Sequence, residues 1–434
     1  MLQVRPERRI IPHEASQRHV DLLVRAEDAP ADKRPERPPL TLALVLDRSG
    51  SMSGDKIATA KRAASAVLQR LDERDTIAVV VFDDHIDTIQ PPTRVTDAVK
   101  AHVSRELERI GARGTTALHE GWLTGCNAIA GDERTEPERG IARCFLLTDG
   151  LANMGLTDPE QIASQAGGIR EKAGIGTSTF GIGADYAEEL LGPMAEAGGG
   201  RFHHLRSPEE ISTTFVNELG ELLATAAANV ELDLEVEPRV DVEFISTYRS
   251  RHSVEQPTRW TITLGDLMSG EERHTIVRLG FAETWRREEQ ASRARVRWTA
   301  EGAERSTDWQ EFRFAYASDA ECEAEPQDAD VMRWAGQHQA DRAQREALRL
   351  SKRGNLAGAG AALVSAYRAI SAYSGDDAVL VEELAEIEDL KQQIASAPLP
   401  SMTSKERYMM RQAKTRGQRD LRTPNPGDAN KPDS

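Results

Sequence analysis

Two hydrophobic periodicities divide this chain, and they predict different structures in successive segments. From Leu40 to Phe215, short apolar runs alternate with stretches whose apolar residues recur at helical spacing. Buried strands that alternate with amphipathic helices are typical of βαβ units around a parallel sheet. We therefore predict a doubly wound, mostly parallel α/β domain over residues 40–226.

The first predicted strand of this domain is the apolar run Thr41–Leu46, which ends directly before Asp47. A strand without alternating polar residues is expected to be buried on both faces of a sheet. Further strands are predicted at 77–82, 144–148, 175–181 and 201–204, and helices at 97–109, 118–130, 159–173, 186–195 and around 211–222.

A period of two begins near Asn229 and predicts a second domain made of antiparallel strands. Leu232, Leu234 and Val236 alternate with polar residues, and the same pattern returns at 277–281 and 312–316. Alternation without intervening helices is typical of a β-sandwich, which we place at residues 227–318. An isolated alternating strand at 20–26 has no place in the α/β sheet. We predict that residues 1–39 hold a linker and this strand, which pairs with the sandwich.

Helical spacing returns after an acidic segment, Asp319–Asp330, that we interpret as a linker. Leu363, Tyr367 and Ile370 share one helical face, so residues 319–397 are predicted to form a helical C-terminal region. The remaining residues, 398–434, are polar, basic and proline-containing, and are predicted to be disordered.

Composition narrows the classes of function. The chain has 434 residues and a formal net charge of −16, whereas nucleic-acid binding proteins usually present a basic surface. Nucleic-acid binding is therefore not expected, except through the basic tail. The three cysteines form no disulfide framework, and the N-terminal residues lack the apolar stretch of a secretory signal. With no apolar run of about 18 residues to span a bilayer, we predict a cytoplasmic protein.

Candidate chemistry lies where predicted strands end. Asp47, Ser49 and Ser51 alternate along a short loop after the first buried strand. Thr116 precedes a predicted helix, and Asp149 follows another buried strand. The carboxyl edge of a parallel sheet is where open α/β folds bind ligands, and carboxylates with hydroxyls suit Mg²⁺. A helix N-cap followed by a turn is the alternative interpretation of the first loop.

Two other groups of residues carry side chains that can bind a metal ion. Asp83 and Asp84 also follow a strand, but we interpret them as the turn into a hairpin with residues 86–89. His203 and His204 are adjacent on a strand, where neighbouring side chains point to opposite faces, so a structural role is predicted.

The order Asp-x-Ser-x-Ser, then a threonine, then Thr-Asp-Gly resembles the metal-ion-dependent adhesion site of von Willebrand factor A domains. The resemblance covers roughly residues 40–225 and implies a Rossmann-like fold. It implies that Ser49, Ser51 and Thr116 bind the ion directly, and that Asp47 and Asp149 do so directly or through water. Thr116 is chosen over Thr115 because family members have a glycine five residues later, and Gly121 fits.

The resemblance further implies a function in binding rather than catalysis. We expect a bacterial-type adaptor or scaffold in which Mg²⁺, with Ca²⁺ or Mn²⁺ as alternatives, accepts an Asp or Glu carboxylate from a partner protein. One alternative is a non-catalytic subunit that works with an ATPase, as in metal chelatases. The ATPase would be a separate polypeptide, because this chain lacks a phosphate-binding GxxxxGK[ST] motif. A metal-dependent hydrolase is disfavoured because no general base or nucleophile accompanies the motif.

Overall fold

The computed structural model describes residues 2–27, 39–130, 140–183, 186–205, 214, 218, 225–253, 255–283, 289–300 and 303–395. The helix predicted around 211–222 therefore lies outside the described residues, except for Thr214 and Glu218. The tail predicted to be disordered, 398–434, also lies outside them.

The chain begins with three strands, β1 (Leu2–Pro6), β2 (Ile10–Ile11) and β3 (Ser16–Arg25). It then enters the α/β domain, whose sheet contains β4 (Leu40–Asp47), β5 (Thr76–Phe82), β6 (Ile86–Arg94), β7 (Ile141–Thr148), β8 (Ile175–Ile182) and β9 (Gly199–Leu205). These six strands lie in the order β6-β5-β4-β7-β8-β9, and all pairs are parallel except β5 with β6.

Five described helices cover this sheet, namely α1 (Asp55–Arg70), α2 (Asp97–Arg109), α3 (Leu118–Ala130), α4 (Pro159–Ala173) and α5 (Glu188–Ala197). Helices α1 and α2 pack on one face, and α3, α4 and α5 pack on the other. Along β4 the side chains divide between these cores, with Leu44 facing α1 and Val45 facing α3. The predicted fold class, a doubly wound α/β domain, is confirmed.

The strands after the α/β domain are β10 (Thr225–Glu235), β11 (Val240–Phe244), β12 (Arg249–His252), β13 (Arg259–Met268), β14 (Glu272–Phe281), β15 (Gln290–Ala300), β16 (Ala303–Ser306) and β17 (Gln310–Tyr316). They join the N-terminal strands in two sheets, β1-β3-β14-β11 and β12-β13-β10-β15-β17-β2, with β16 beside β15. The two sheets enclose one apolar core. Strand β3 lies between β1 and β14, so the α/β domain is inserted between parts of this sandwich in sequence.

Four helices end the described chain, namely α6 (Asp319–Ala324), α7 (Ala329–Lys352), α8 (Leu356–Ser371) and α9 (Ala378–Ile394). Helix α6 corrects our interpretation of Asp319–Asp330 as a linker. Ser318 and Glu321 form a capping box that satisfies backbone N–H groups at its start, which explains how a short acidic segment becomes helical. Among the described helices, none combines the length and the apolar composition needed to cross a bilayer.

Candidate metal centre

The candidate residues lie at the carboxyl ends of β4 and β7, where the chain continues to helices on opposite faces of the sheet. Strand β4 lies between β5 and β7, and Leu46 pairs with Leu147 just before the two strands end. Asp47 ends β4, and Asp149 follows the last residue of β7. The crevice between such neighbouring strands is the usual ligand site of doubly wound sheets.

Asp47 is completely buried and held at both oxygens. Its Oδ1 accepts a hydrogen bond from the backbone N of Ser49 at 2.8 Å, and its Oδ2 accepts one from the Thr148 hydroxyl at 2.5 Å. Burial raises the pKa of Asp47 to about 6, and the nearby Asp149 carboxylate adds to the increase, against the hydrogen bonds from Thr148 and Ser49. The carboxylate is thus fixed in orientation and mostly ionised at neutral pH.

Ser49 and Ser51 present their hydroxyls to the same space. The two Oγ atoms lie 3.1 Å apart, although the Ser49 side chain is buried and the Ser51 side chain is exposed. A short 3-10 turn, Gly50–Met52, produces this arrangement. The backbone N of Gly50 donates to the carbonyl of Gly114 at 3.1 Å, which joins this loop to the one that carries Thr116.

Thr116 is buried, and its neighbour Thr115 is not. The backbone N of Thr116 donates to Asn153 Oδ1 at 2.8 Å, which ties the loop that carries Thr116 to the segment after β7. The hydroxyl of Thr115 instead donates to the sulfur of Met154 at 2.6 Å on the surface. The two threonines therefore have different environments.

Asp149 is also completely buried, and it contacts a cation. The Lys56 Nζ donates to Asp149 Oδ2 at 2.9 Å. The other oxygen of Asp149 accepts a weaker contact from the backbone N of Leu151 at 3.4 Å. Among the described residues, Lys56 supplies the positive charge closest to this carboxylate.

Asp83 has the structural role predicted for it. Its Oδ1 accepts from the backbone N of His85 at 2.7 Å in the turn from β5 to β6, and its Oδ2 accepts from Arg48 at 3.1 Å and Arg113 at 2.6 Å. Burial alone would raise the pKa of Asp83, but these partners lower it. Asp83, Asp84 and His85 can bring donor atoms within 4.8 Å of one another, yet the two guanidinium groups already neutralise Asp83.

The histidine pair also has a structural environment. His203 stacks on Phe180 and contacts Glu218, whereas His204 faces the other side of the strand near Tyr186. This agrees with the opposite orientations expected of adjacent strand residues.

Sequence reasoning missed three residues that organise the site: Lys56, Thr148 and Asn153. Thr148 stands beside Asp149 in the motif, so its position at the strand end was a usable signal. Lys56 lies on α1 and Asn153 in a loop, and neither belongs to the recognised pattern. Their contacts depend on how α1 and the segment after β7 meet across the sheet edge.

The donor chemistry fits a hard divalent cation. Two buried carboxylates and neighbouring serine hydroxyls offer oxygen atoms, and Mg²⁺ and Ca²⁺ prefer oxygen ligands. Buried carboxylates are costly without a compensating cation, and a single ammonium group does not balance two of them.

Comparison with known proteins assigns the α/β domain to a family. The family profile described as von Willebrand factor type A domain matches residues 41–217. An uncharacterized protein of Synechocystis, sll0103, is 28% identical over 276 residues, which cover 61% of this chain and 62% of that protein. The uncharacterized protein YfbK of Escherichia coli is 27% identical over 244 residues, or 55% of this chain and 41% of its own length. This chain thus matches less than two thirds of either relative.

A solved structure shares the wider architecture. The von Willebrand factor type A protein from Catenulispora acidiphila superimposes with a TM-score of 0.71 at 18% sequence identity, covering 94% of this chain and 96% of that chain. The similarity therefore extends beyond the α/β domain to the sandwich and the C-terminal helices.

Proposed function

We propose that the von Willebrand factor type A domain, which the family profile matches over residues 41–217, carries an intact metal-ion-dependent adhesion site that binds a partner protein. The observation that carries the proposal is the convergence of three loops at one edge of the sheet: one bears Asp47 and Ser49, one bears Thr116, and one bears Asp149. Domains of this family often mediate protein interactions and commonly bind a divalent metal.

Each candidate residue has a proposed role. Ser49, Ser51 and Thr116 would bind the ion directly, and the buried carboxylates of Asp47 and Asp149 would neutralise it. Thr116 suits this role better than Thr115, whose hydroxyl is already directed to Met154. The bound ion, which we propose to be Mg²⁺, would supply a position for the carboxylate of a partner's Asp or Glu.

The surroundings of the site favour a protein as the partner. Leu151 and Met154 follow Asp149 closely, and they are 41% and 40% exposed. Exposed large apolar side chains beside a polar site are typical of interaction surfaces. A partner that presents an acidic residue next to apolar side chains would fit this surface.

We propose further that the protein is a cytoplasmic adaptor without catalytic activity of its own. All three cysteines are free and buried, as is usual in a reducing compartment.

Metal binding can be tested with a matched pair of serine variants. Ser51 and Ser53 are both exposed in the same loop, but only Ser51 approaches Ser49. Magnesium should raise the melting temperature of the wild type and of S53A, and raise it much less in S51A. Equal stabilisation of S51A and S53A would contradict the assigned ligand set.

Partner binding can be tested by affinity capture with and without a chelator. We expect a partner that is recovered with magnesium and lost with chelator or in S51A, but retained in S53A. Recovery that chelator leaves unchanged would contradict the metal-bridged mechanism. An ATPase among metal-dependent partners would favour the alternative of a chelatase-like subunit.

A further inference from the structure

Lys56 places an ammonium group in the candidate metal centre. Its Nζ lies 2.9 Å from Oδ2 of Asp149. The Asp149 side chain is completely buried, and the Lys56 side chain is 24% exposed. A lysine side chain on a helix surface usually extends into solvent. Lys56 extends towards a buried carboxylate instead, and this orientation needs an explanation.

The fold provides space for Lys56 in this position. Gly54 has a φ of 73°, which directs the chain into α1 so that Lys56 is its second residue. Gly183, just beyond β8, has a φ of 89°, and a Cβ there would lie 2.7 Å from Cε of Lys56. The lysine stem thus passes over a glycine backbone on its way to Asp149, and a side chain at residue 183 would obstruct it.

Charge explains what the contact does. The site holds two buried carboxylates, Asp47 and Asp149, which repel each other and lack hydration. The ammonium group of Lys56 partly offsets this cost. A dication in the same site would face the ammonium as a like charge, and both would interact with Asp149. The two cations therefore oppose each other.

We propose that Lys56 is a resident counter-ion that stabilises the metal-free site and competes with the incoming metal ion for Asp149. This inference rests on the proposed metal site. Lys56 then raises the ion concentration at which the site is loaded, and so sets the threshold for metal-dependent partner binding. A lysine that merely orients Asp149 for the metal would have the opposite effect, because its loss would weaken metal binding.

The test is calorimetric titration of the metal-free full chain with magnesium chloride, in wild type, K56M and K61M. Methionine keeps much of the lysine stem and removes the charge. Lys61 is the control, because it lies on the same helix and contacts the carbonyl of Glu108. We expect K56M to bind Mg²⁺ about tenfold more tightly, as the loss of one opposing charge predicts. K61M should match the wild type.

Thermal unfolding provides a second measurement, because the loss of Lys56 should have opposite effects on the stability of the metal-free protein and on the stabilisation by magnesium. Without metal, K56M should melt at a lower temperature than the wild type, because its buried carboxylates lose their cation. With saturating magnesium, K56M should gain more in melting temperature than the wild type gains.

Two outcomes are distinguishable. If the wild type binds magnesium and K56M binds it equally or more weakly, the competition is wrong while the metal site stands. If neither protein binds magnesium, although circular dichroism shows both to be folded, the metal site itself is contradicted and this inference falls with it.

Discussion

Single residues in the α/β domain show how buried charge is stabilised. Glu218 is 3% exposed, yet it accepts hydrogen bonds from the Ser178 hydroxyl at 2.7 Å and from His203 Nε2 at 2.9 Å. Burial alone would raise the pKa of Glu218, but His203, Arg201 and Ser178 lower it to about 2. The carboxylate thus links its own segment to β8 and β9 and contributes to stability while it is ionised.

The pH dependence of this contribution has a definite sign. Because the folded state lowers the pKa of Glu218 below 4.5, the ionised group stabilises the fold fully above about pH 4.5 and loses that effect as the pH falls towards 2. The stabilisation is on the order of 3 kcal/mol. In urea unfolding, E218Q should be less stable than the wild type at pH 7, and the difference should shrink below pH 4.5.

The control for this prediction is E382Q, since Glu382 is exposed on α9. The free energy of unfolding of E382Q should match that of the wild type at pH 7 and below pH 4.5. A difference between E218Q and the wild type that stays constant with pH would show that Glu218 acts through packing and not through its charge.

At the scale of elements, helix α3 determines where the Thr116 loop is held. Gly121 and Gly125 lie one turn apart on the face of α3 that contacts the sheet. A Cβ at Gly121 would lie 2.5 Å from the ring of Phe82, and one at Gly125 would lie 2.3 Å from Val45 Cγ2. The helix can therefore approach β4 and β5 closely only because both positions lack side chains.

Substitution of Gly121 by alanine should separate α3 from the sheet. We expect G121A to reduce the free energy of unfolding by about 1–3 kcal/mol through overpacking, although alanine favours helices. It should also weaken magnesium binding, because the Thr116 loop precedes α3. Urea unfolding and calorimetric titration measure the two effects.

Gly168 on α4 offers the matched control. Among the described residues, no heavy atom lies within 4 Å of a Cβ built at Gly168. G168A should therefore be neutral or more stable by up to about 1 kcal/mol. If G121A and G168A changed the free energy of unfolding equally, the effect at residue 121 would come from helix propensity and not from close packing against the sheet.

At the scale of the whole molecule, a buried ionic cluster joins the α/β domain to the sandwich. Asp266 on β13 contacts Arg143 on β7, and it also accepts hydrogen bonds from Arg170 on α4 at 3.0 Å and from the backbone N of Asn229 at 2.8 Å. Both arginine side chains are 3% exposed. Arg143 lies near the start of β7, the strand that ends at the candidate metal site, so the cluster lies towards the opposite edge of the sheet.

Removal of the Asp266 charge should leave two buried guanidinium groups without their shared carboxylate. Breaking a buried ion pair in this way typically costs about 3–5 kcal/mol. We expect D266N to lower the melting temperature and to separate the unfolding of the two domains in differential scanning calorimetry. D308N, at an exposed aspartate between β16 and β17 of the same sandwich, should unfold like the wild type. A single unshifted transition in D266N would show that the domains are held together by other contacts.

Much of the fold follows from local patterns. Helices α2, α3 and α4 begin and end at the predicted residues, because helical spacing runs through each segment, and Thr96 and Asp158 cap the starts of α2 and α4. The strands β1 and β2 were missed, since short, partly polar edge strands carry little periodicity. The order of the motif residues likewise predicted which loops would carry candidate ligands, and their role as ligands stays a prediction.

The sequence by itself determined the α/β class, the alternating strands of the sandwich and the loops with oxygen donors, because these depend on neighbours within one element. Tertiary structure decided the contacts between distant segments. Lys56 meets Asp149, and Asp266 meets Arg143, because packing brings them together across more than one element. No local periodicity encodes such pairs, since a side chain's partner is chosen by the approach of helices and sheets and by the cost of burying charge.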